Sequence, residues 1–137
     1  MARKEKLLVI HCSDSRFGNA CLIDSWHRTR GWSGIGYHWV ICNGKIASGD
    51  SYSALYDGLL ESGRTYNRVG AHVKGYNEDS IGVCLICESG IFTEKQFETL
   101  RKVIDIHKYH KVVFHSDLDP MKPKCPGLTM NDLVRKV

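Results

Sequence analysis

His115 and Cys125 stand ten positions apart, on either side of "SDLDPMKPK", a proline- and lysine-bearing stretch near the end of a 137-residue chain. The spacing is neither the close cysteine pair of a zinc knuckle nor the Cys-x-x-Cys of a redox motif. An imidazole and a thiolate are nevertheless both zinc ligands, so a metal site built on them needs a further ligand from elsewhere in the chain. His11 is the candidate, because "LLVIHCS" has the same design as "VVFHS": an apolar run that ends on a histidine. Two imidazoles and one thiolate leave one tetrahedral position open. That is the arrangement of a catalytic rather than a structural zinc, at which water ionises near neutral pH.

The elements that must position these residues are legible from periodicity. "KLLVIHCS", "SIGVCLIC" and "KVVFHS" are continuous apolar runs ending in polar residues and are expected as buried strands, with His11 and His115 at C-terminal strand ends. "GIGYHWVIC" alternates Tyr37, Trp39 and Ile41 against His38, Val40 and Cys42, the period-2 signature of a strand, and "GLLES" is expected as a further short strand. Asn19 is placed to cap a helix through Leu22, Ile23 and Trp26 to Arg30, with Gly31 as its stop. Thr93 and Gln96 form a capping box for a helix whose Phe97, Leu100, Val103, Ile104 and His107 share one stripe. A last short helix begins near Thr129. Strands and helices mixed in this way predict an α/β fold, a central mixed β-sheet flanked by helices. In open α/β sheets ligands bind beyond the strand ends, where His11 and His115 meet if their strands are parallel neighbours.

Composition sets the outer bounds. A chain of 137 residues that is 42% hydrophobic, without repeats, is expected to be a single domain over 1–137, and a monomer is expected. The head "MARKEKLLVI" is too short in apolar residues for a signal or membrane segment, so a cytoplasmic chain with no membrane association is expected. A net charge of +4 without a long Lys/Arg run favours polyanions in general and gives no expectation of nucleic-acid binding. Six cysteines in a chain of this size with no visible leader are expected to be reduced thiols.

The ordered fragments "VIHCS", "DSWHRTRGWSGIGYHWVI", "GLLESGRTYNRVGAHVKGYNEDSIGVCL" and "HSDLDPMKPKCPG" cover more than half of the chain. In that order they resemble the zinc-dependent N-acetylmuramoyl-L-alanine amidases of the type 2 or peptidoglycan-recognition class, small bacteriophage lysozyme-amidases in particular. The resemblance implies Zn2+ held by His11, His115 and Cys125, and hydrolysis of the amide between the lactyl group of N-acetylmuramic acid and L-alanine in peptidoglycan or muropeptides. It also implies Tyr37 beside the metal as a catalytic hydroxyl, with a lysine just before the third ligand assisting the reacting centre. His72 matches a position on the substrate groove and Asn77 an asparagine that follows it, with Lys74 beside them as a third substrate-binding residue. Relatives that lack the cysteine recognise peptidoglycan without cutting it, and some phage relatives bind the phage RNA polymerase. A non-catalytic binding module and a polymerase-binding regulator are therefore the alternative readings.

Two departures from that pattern stand out. The phage enzymes commonly show Lys, one residue, then Cys, whereas "KPKC" places Lys122 and Lys124 around Pro123; Lys122 is favoured as catalytic and Lys124 as substrate-binding. The segment from Asn43 to Asp57 looks like an insertion between two strands.

Structural explanations compete for each residue. A strand-end histidine is commonly satisfied by backbone groups, Tyr37 fits a core position, and Lys122 fits a solvated loop. Cys84 and Cys87, three apart on a strand, face opposite sides and are expected not to chelate one ion or bond to each other; they and Cys12 are expected as core thiols, with Cys12 pointing away from the face of His11. His38 is expected to be structural for the same reason, and His27, His107 and His110 have no evident convergent partner.

Overall fold

A computed structural model describes residues 5–136; the first four residues of the basic head and Val137 lie outside the described residues. In chain order the elements are β1 (Leu7–Cys12), α1 (Ala20–Thr29), β2 (Trp39–Asn43), β3 (Asp57–Ser62), β4 (Ser80–Leu85), α2 (Glu94–Ile106), β5 (Lys111–Phe114), α3 (His115–Leu118) and α4 (Met130–Lys136). The five strands form one sheet in the order β3-β2-β4-β1-β5. β1 is parallel to both β4 and β5, β2 is parallel to β4, and β3 runs antiparallel to β2 at the edge. The expected mixed sheet flanked by helices is thus present.

Strand alternation divides the core. Leu8, Ile10, Ile81, Val83 and Leu85 face α2 and pack with Phe97, Leu100 and Val103, the stripe anticipated from the helical spacing. Val9 and Val113 face the other way and pack with Val73, while Cys84 and Val40 meet Ile23 of α1 and the ring of Tyr37. His11 continues the series of Val9, so it emerges on the face away from α2.

Both expected caps are in place. The Asn19 side chain accepts from Leu22 N–H, and the chain turns at Gly31 with φ +89. Thr93 and Gln96 form the reciprocal capping box, and Thr93 Oγ1 also donates to Asp57 Oδ1, which ties α2 to the start of β3. The expected strand over "GIGYHWVIC" begins only at Trp39. Upstream, the backbone hydrogen bonds leave the sheet ladder: Ala71 N–H donates to Gly36 O and Arg64 N–H to Tyr37 O. Gly36 lies so close to Ala71 that a Cβ there would meet the Ala71 carbonyl.

The expectation of reduced thiols throughout requires correction. Cys12 and Cys87 form a disulfide with a Cα–Cα distance of 5.7 Å. Cys84 and Cys87 are not bonded to each other, as their spacing on one strand implies, but the register that matters is between strands. Cys12 stands opposite Leu85, and Cys87 lies two residues further on, hence on the same side as Cys12. Cys21, Cys42, Cys84 and Cys125 remain free thiols.

His107, at the C-terminal end of α2, is buried and accepts from Trp39 Nε1–H through its Nε2 at 3.0 Å. A protonated ring has no lone pair to offer there. Burial and then the neighbouring His110 push its pKa from 6.5 to about 4. The folded pKa lies below the unfolded one, so the neutral ring's contribution to stability is complete above pH 6.5 and is lost as pH falls towards 4. Gln at this position keeps an acceptor but cannot titrate. His107→Gln is therefore expected to lose less stability than the parent between pH 6.5 and 4, by on the order of 1–3 kcal/mol, in urea melts at several pH values. Parallel acid limbs for the two proteins would contradict this account.

Candidate metal centre

Parallel pairing of β1 with β5 sets Ile10 opposite Phe114, so the next residues, His11 and His115, leave adjacent strands at the same level. Their Nδ1 atoms are 3.1 Å apart. Cys125 returns to the same place because the loop after β5 is folded by its own backbone. Asp119 N–H donates to His115 O, Lys122 N–H to Asp119 O, Cys125 N–H to Lys122 O, and Ser116 N–H to Cys125 O. The ligand atoms of His11, His115 and Cys125 all lie within 4.8 Å of one another, a set that can hold a metal ion.

The environment prepares each donor. Burial holds the His11 pKa well below its usual value, with His72 and His115 adding to the effect, and burial also lowers that of His115. Both shifts favour the neutral ring, the form in which an imidazole ligates a metal. Burial raises the pKa of the Cys125 thiol, while the Cys12 N–H at 3.4 Å from Sγ and the charge of Lys122 oppose that rise. His115 Nε2 sits 3.5 Å from Asp119 Oδ2, an i,i+4 pair that leaves Nδ1 for the cluster. Asp119 was not singled out from the sequence, where the stretch after His115 reads as a loop; the pair forms through the helical turn of α3. His11 Nε2 lies 2.8 Å from His72 Nδ1, a contact with no sequence signal because it joins two separate segments.

All three donors line a cleft of about 1050 Å³, together with Tyr37, Arg30, Asp14, Lys122 and Lys124 among others. The Tyr37 ring centroid is 5.0 Å from that of His11, and burial raises the phenol pKa well above 10. Lys122 is close enough for its charge to act on both His115 and Cys125. Arg30 and Asp14 are cleft residues that the sequence reading did not single out.

The remaining site candidates lie elsewhere. His72 is buried behind His11 and does not line the cleft. Asn77 Oδ1 accepts from the backbone N–H groups of His72 and Val73, both at 2.9 Å, so it holds the segment that carries His72. Lys74 is exposed and is not among the cleft residues. No residue of the 43–57 segment lines the cleft either; its base is anchored to the β1–α1 loop by Gly18 N–H on Lys45 O and Asn43 Nδ2 on Arg16 O. His38 is structural, accepting from Gly82 N–H at Nδ1 and donating from Nε2 to Arg68 O, and His27 Nδ1 accepts from Gly36 N–H.

Known proteins share this arrangement of chain. The sequence is 31% identical over 140 residues to an endolysin of Enterobacteria phage K11, covering 92% of this chain and 83% of that protein. It is 32% identical over 137 residues to an endolysin of Enterobacteria phage T3, covering 90% and 81%. Among solved structures, the N-acetylmuramoyl-L-alanine amidase LysC from Clostridium intestinale URNW superimposes with a TM-score of 0.75 at 24% identity, covering 98% of this chain and 85% of that one, and so shares its fold. Residues 1–128 match the N-acetylmuramoyl-L-alanine amidase family, and with the phage relatives this shows that the chain belongs to that family.

Proposed function

We propose that the protein is a zinc-dependent, endolysin-like N-acetylmuramoyl-L-alanine amidase that cleaves the amide between the lactyl group of N-acetylmuramic acid and L-alanine in peptidoglycan. The observation that carries this reading is the His11, His115 and Cys125 cluster on the wall of a cleft, within a chain of this family. The donor set fits zinc: two neutral imidazole nitrogens and one sulfur match its borderline-soft preference, and the donors reach the cleft instead of being closed off by protein. Zinc bound there supplies Lewis acidity and a nucleophile generated from water at neutral pH.

The chain's own residues do the rest. Burial keeps Tyr37 a phenol at neutral pH, so its hydroxyl donates a hydrogen bond to the amide oxygen as negative charge develops there. The Lys122 ammonium, beside His115 and Cys125, adds positive charge at the same end of the cleft. Arg30 and Lys124 line the same cleft, where Asp14 is the sole carboxylate among the described lining residues. This balance favours an acidic glycopeptide over a cationic one. A Cys12–Cys87 disulfide persists outside reducing compartments, which suits action at the cell wall. Among the described residues no helix is long and apolar enough to cross a membrane.

Mass spectrometry of purified peptidoglycan after incubation with the zinc-loaded protein is expected to show free stem peptides beginning with L-alanine, absent from a chelated control. Intact sacculi carrying bound, folded protein would replace this reading with non-catalytic recognition. Cys125→Ser is expected to lower both zinc content and hydrolysis, read by metal analysis and turnover. Tyr37→Phe is expected to keep its zinc and lower kcat by about 100-fold, the usual cost of removing an oxyanion donor. Equal loss of zinc in Tyr37→Phe would place the tyrosine in metal retention instead.

A further inference from the structure

Behind the ligand set a line of hydrogen bonds runs through the protein and ends on a backbone carbonyl. His11 Nε2 lies 2.8 Å from His72 Nδ1, His72 Nε2 lies 3.2 Å from Ser80 Oγ, and Ser80 Oγ–H donates to Tyr76 O at 2.8 Å. Proton positions follow from the terminal acceptor. A carbonyl only accepts, so the single hydroxyl proton of Ser80 goes to Tyr76, and Ser80 Oγ accepts from His72 Nε2–H. His72 Nδ1 is then a bare acceptor and takes Nε2–H of His11. The remaining nitrogen of His11, Nδ1, keeps its lone pair and faces His115 and Cys125.

The fold seats the intermediate ring closely. His72 is only 9% exposed, and Ser80 and His11 are 0% and 1% exposed. A Cβ at Gly82 of β4 would stand 2.7 Å from His72 Cγ and Nδ1, and one at Gly70 would stand 2.5 Å from His72 Cδ2. Both glycines are therefore notches for the ring. Asn77 fixes the backbone on the other side through the N–H groups of residues 72 and 73. A buried histidine that does not line the cleft, with both ring nitrogens in one directed relay, is placed to act through His11 and not on substrate.

We propose that His72 is a positioning residue: it fixes the tautomer and ring orientation of His11 so that Nδ1 is presented, bare, to zinc. The inference rests on the zinc reading above and deepens it. It also assigns the two histidine ligands unlike supports, a carboxylate at 3.5 Å for His115 and a neutral imidazole for His11. The neutral support orients its ligand without adding a second negative charge beside the Cys125 thiolate.

Zinc affinity, measured by chelator competition on the full chain, tests the proposal, with melting in excess chelator reporting the fold separately. His72→Phe keeps a ring but offers no acceptor, and is expected to bind zinc about 10–100-fold more weakly, the usual cost of losing an outer-shell partner. His72→Asn places an amide oxygen near the position of Nδ1 and is expected to recover most of that loss. Parent-like affinity in His72→Phe, or an equal loss in His72→Asn, would overturn the inference. If His72→Phe does not fold, nitrogen-15 spectra of the unsubstituted protein decide: ring protons on Nε2 of both His11 and His72 are expected, and a proton on His72 Nδ1 overturns the relay. A parent protein that binds no zinc at all would remove the metal reading beneath, an outcome distinct from unchanged affinity in the variants.

Discussion

The site depends above all on the parallel register of β1 against β5. Ile10 opposite Phe114 puts the following histidines side by side, and a slip of one residue would send His11 to the face covered by α2. That register is held by burial on both faces: Leu8 and Ile10 pack under α2, while Val9 and Val113 pack with Val73. The strands supplying the ligands are thus fixed by the same apolar contacts that hold the domain together. A ligand set built at strand ends inherits the rigidity of the core without occupying it.

Burial then sets the charge state of the donors. Removing an imidazole from water disfavours its cation, so desolvation is the first cause of the lowered pKa at both His11 and His115. The same physics works against the thiolate of Cys125. The opposing influences, the Cys12 N–H and the Lys122 charge, both come from residues next to the ligands in sequence or on the ligand loop. Lys122 therefore offsets part of the cost of burying a thiolate in addition to any part it takes at the substrate.

How much of this was legible in the sequence follows from how local each interaction is. Asn19, the Thr93–Gln96 box and the stripe from Phe97 to Val103 are determined within a turn or two of chain, and the structure has them where the pattern placed them. The pairing of His11 with His115 was readable because two apolar runs ended alike. Contacts that need the register between strands were not readable. Cys12 meets Cys87 because Cys12 faces Leu85, and no spacing within the chain carries that fact. His72 likewise was placed on a substrate groove by the resemblance alone, and nothing in its own segment signals a contact with His11. The notches at Gly70 and at Gly82 of β4 seat its ring against the middle of the sheet, beside His11 on the neighbouring strand β1.

The unusual lysine spacing before Cys125 has a related explanation. What the cluster requires of the 115–125 segment is that it end beside its start, and the hydrogen bond from Ser116 N–H to Cys125 O is the measure of that closure. The intervening residues meet the requirement with one helical turn at α3 followed by two tight turns, through Asp119 and Lys122. A loop closed by its own backbone tolerates a change in length provided each added residue finds a partner. The positions of the lysines then follow from the turns. Lys122 donates its own N–H to Asp119 O and accepts from Cys125 N–H, so it is built into the last turn before the ligand and its ammonium stays near His115 and Cys125. Lys124 takes no part in those backbone bonds and stands exposed on the cleft wall, free to meet substrate along its length.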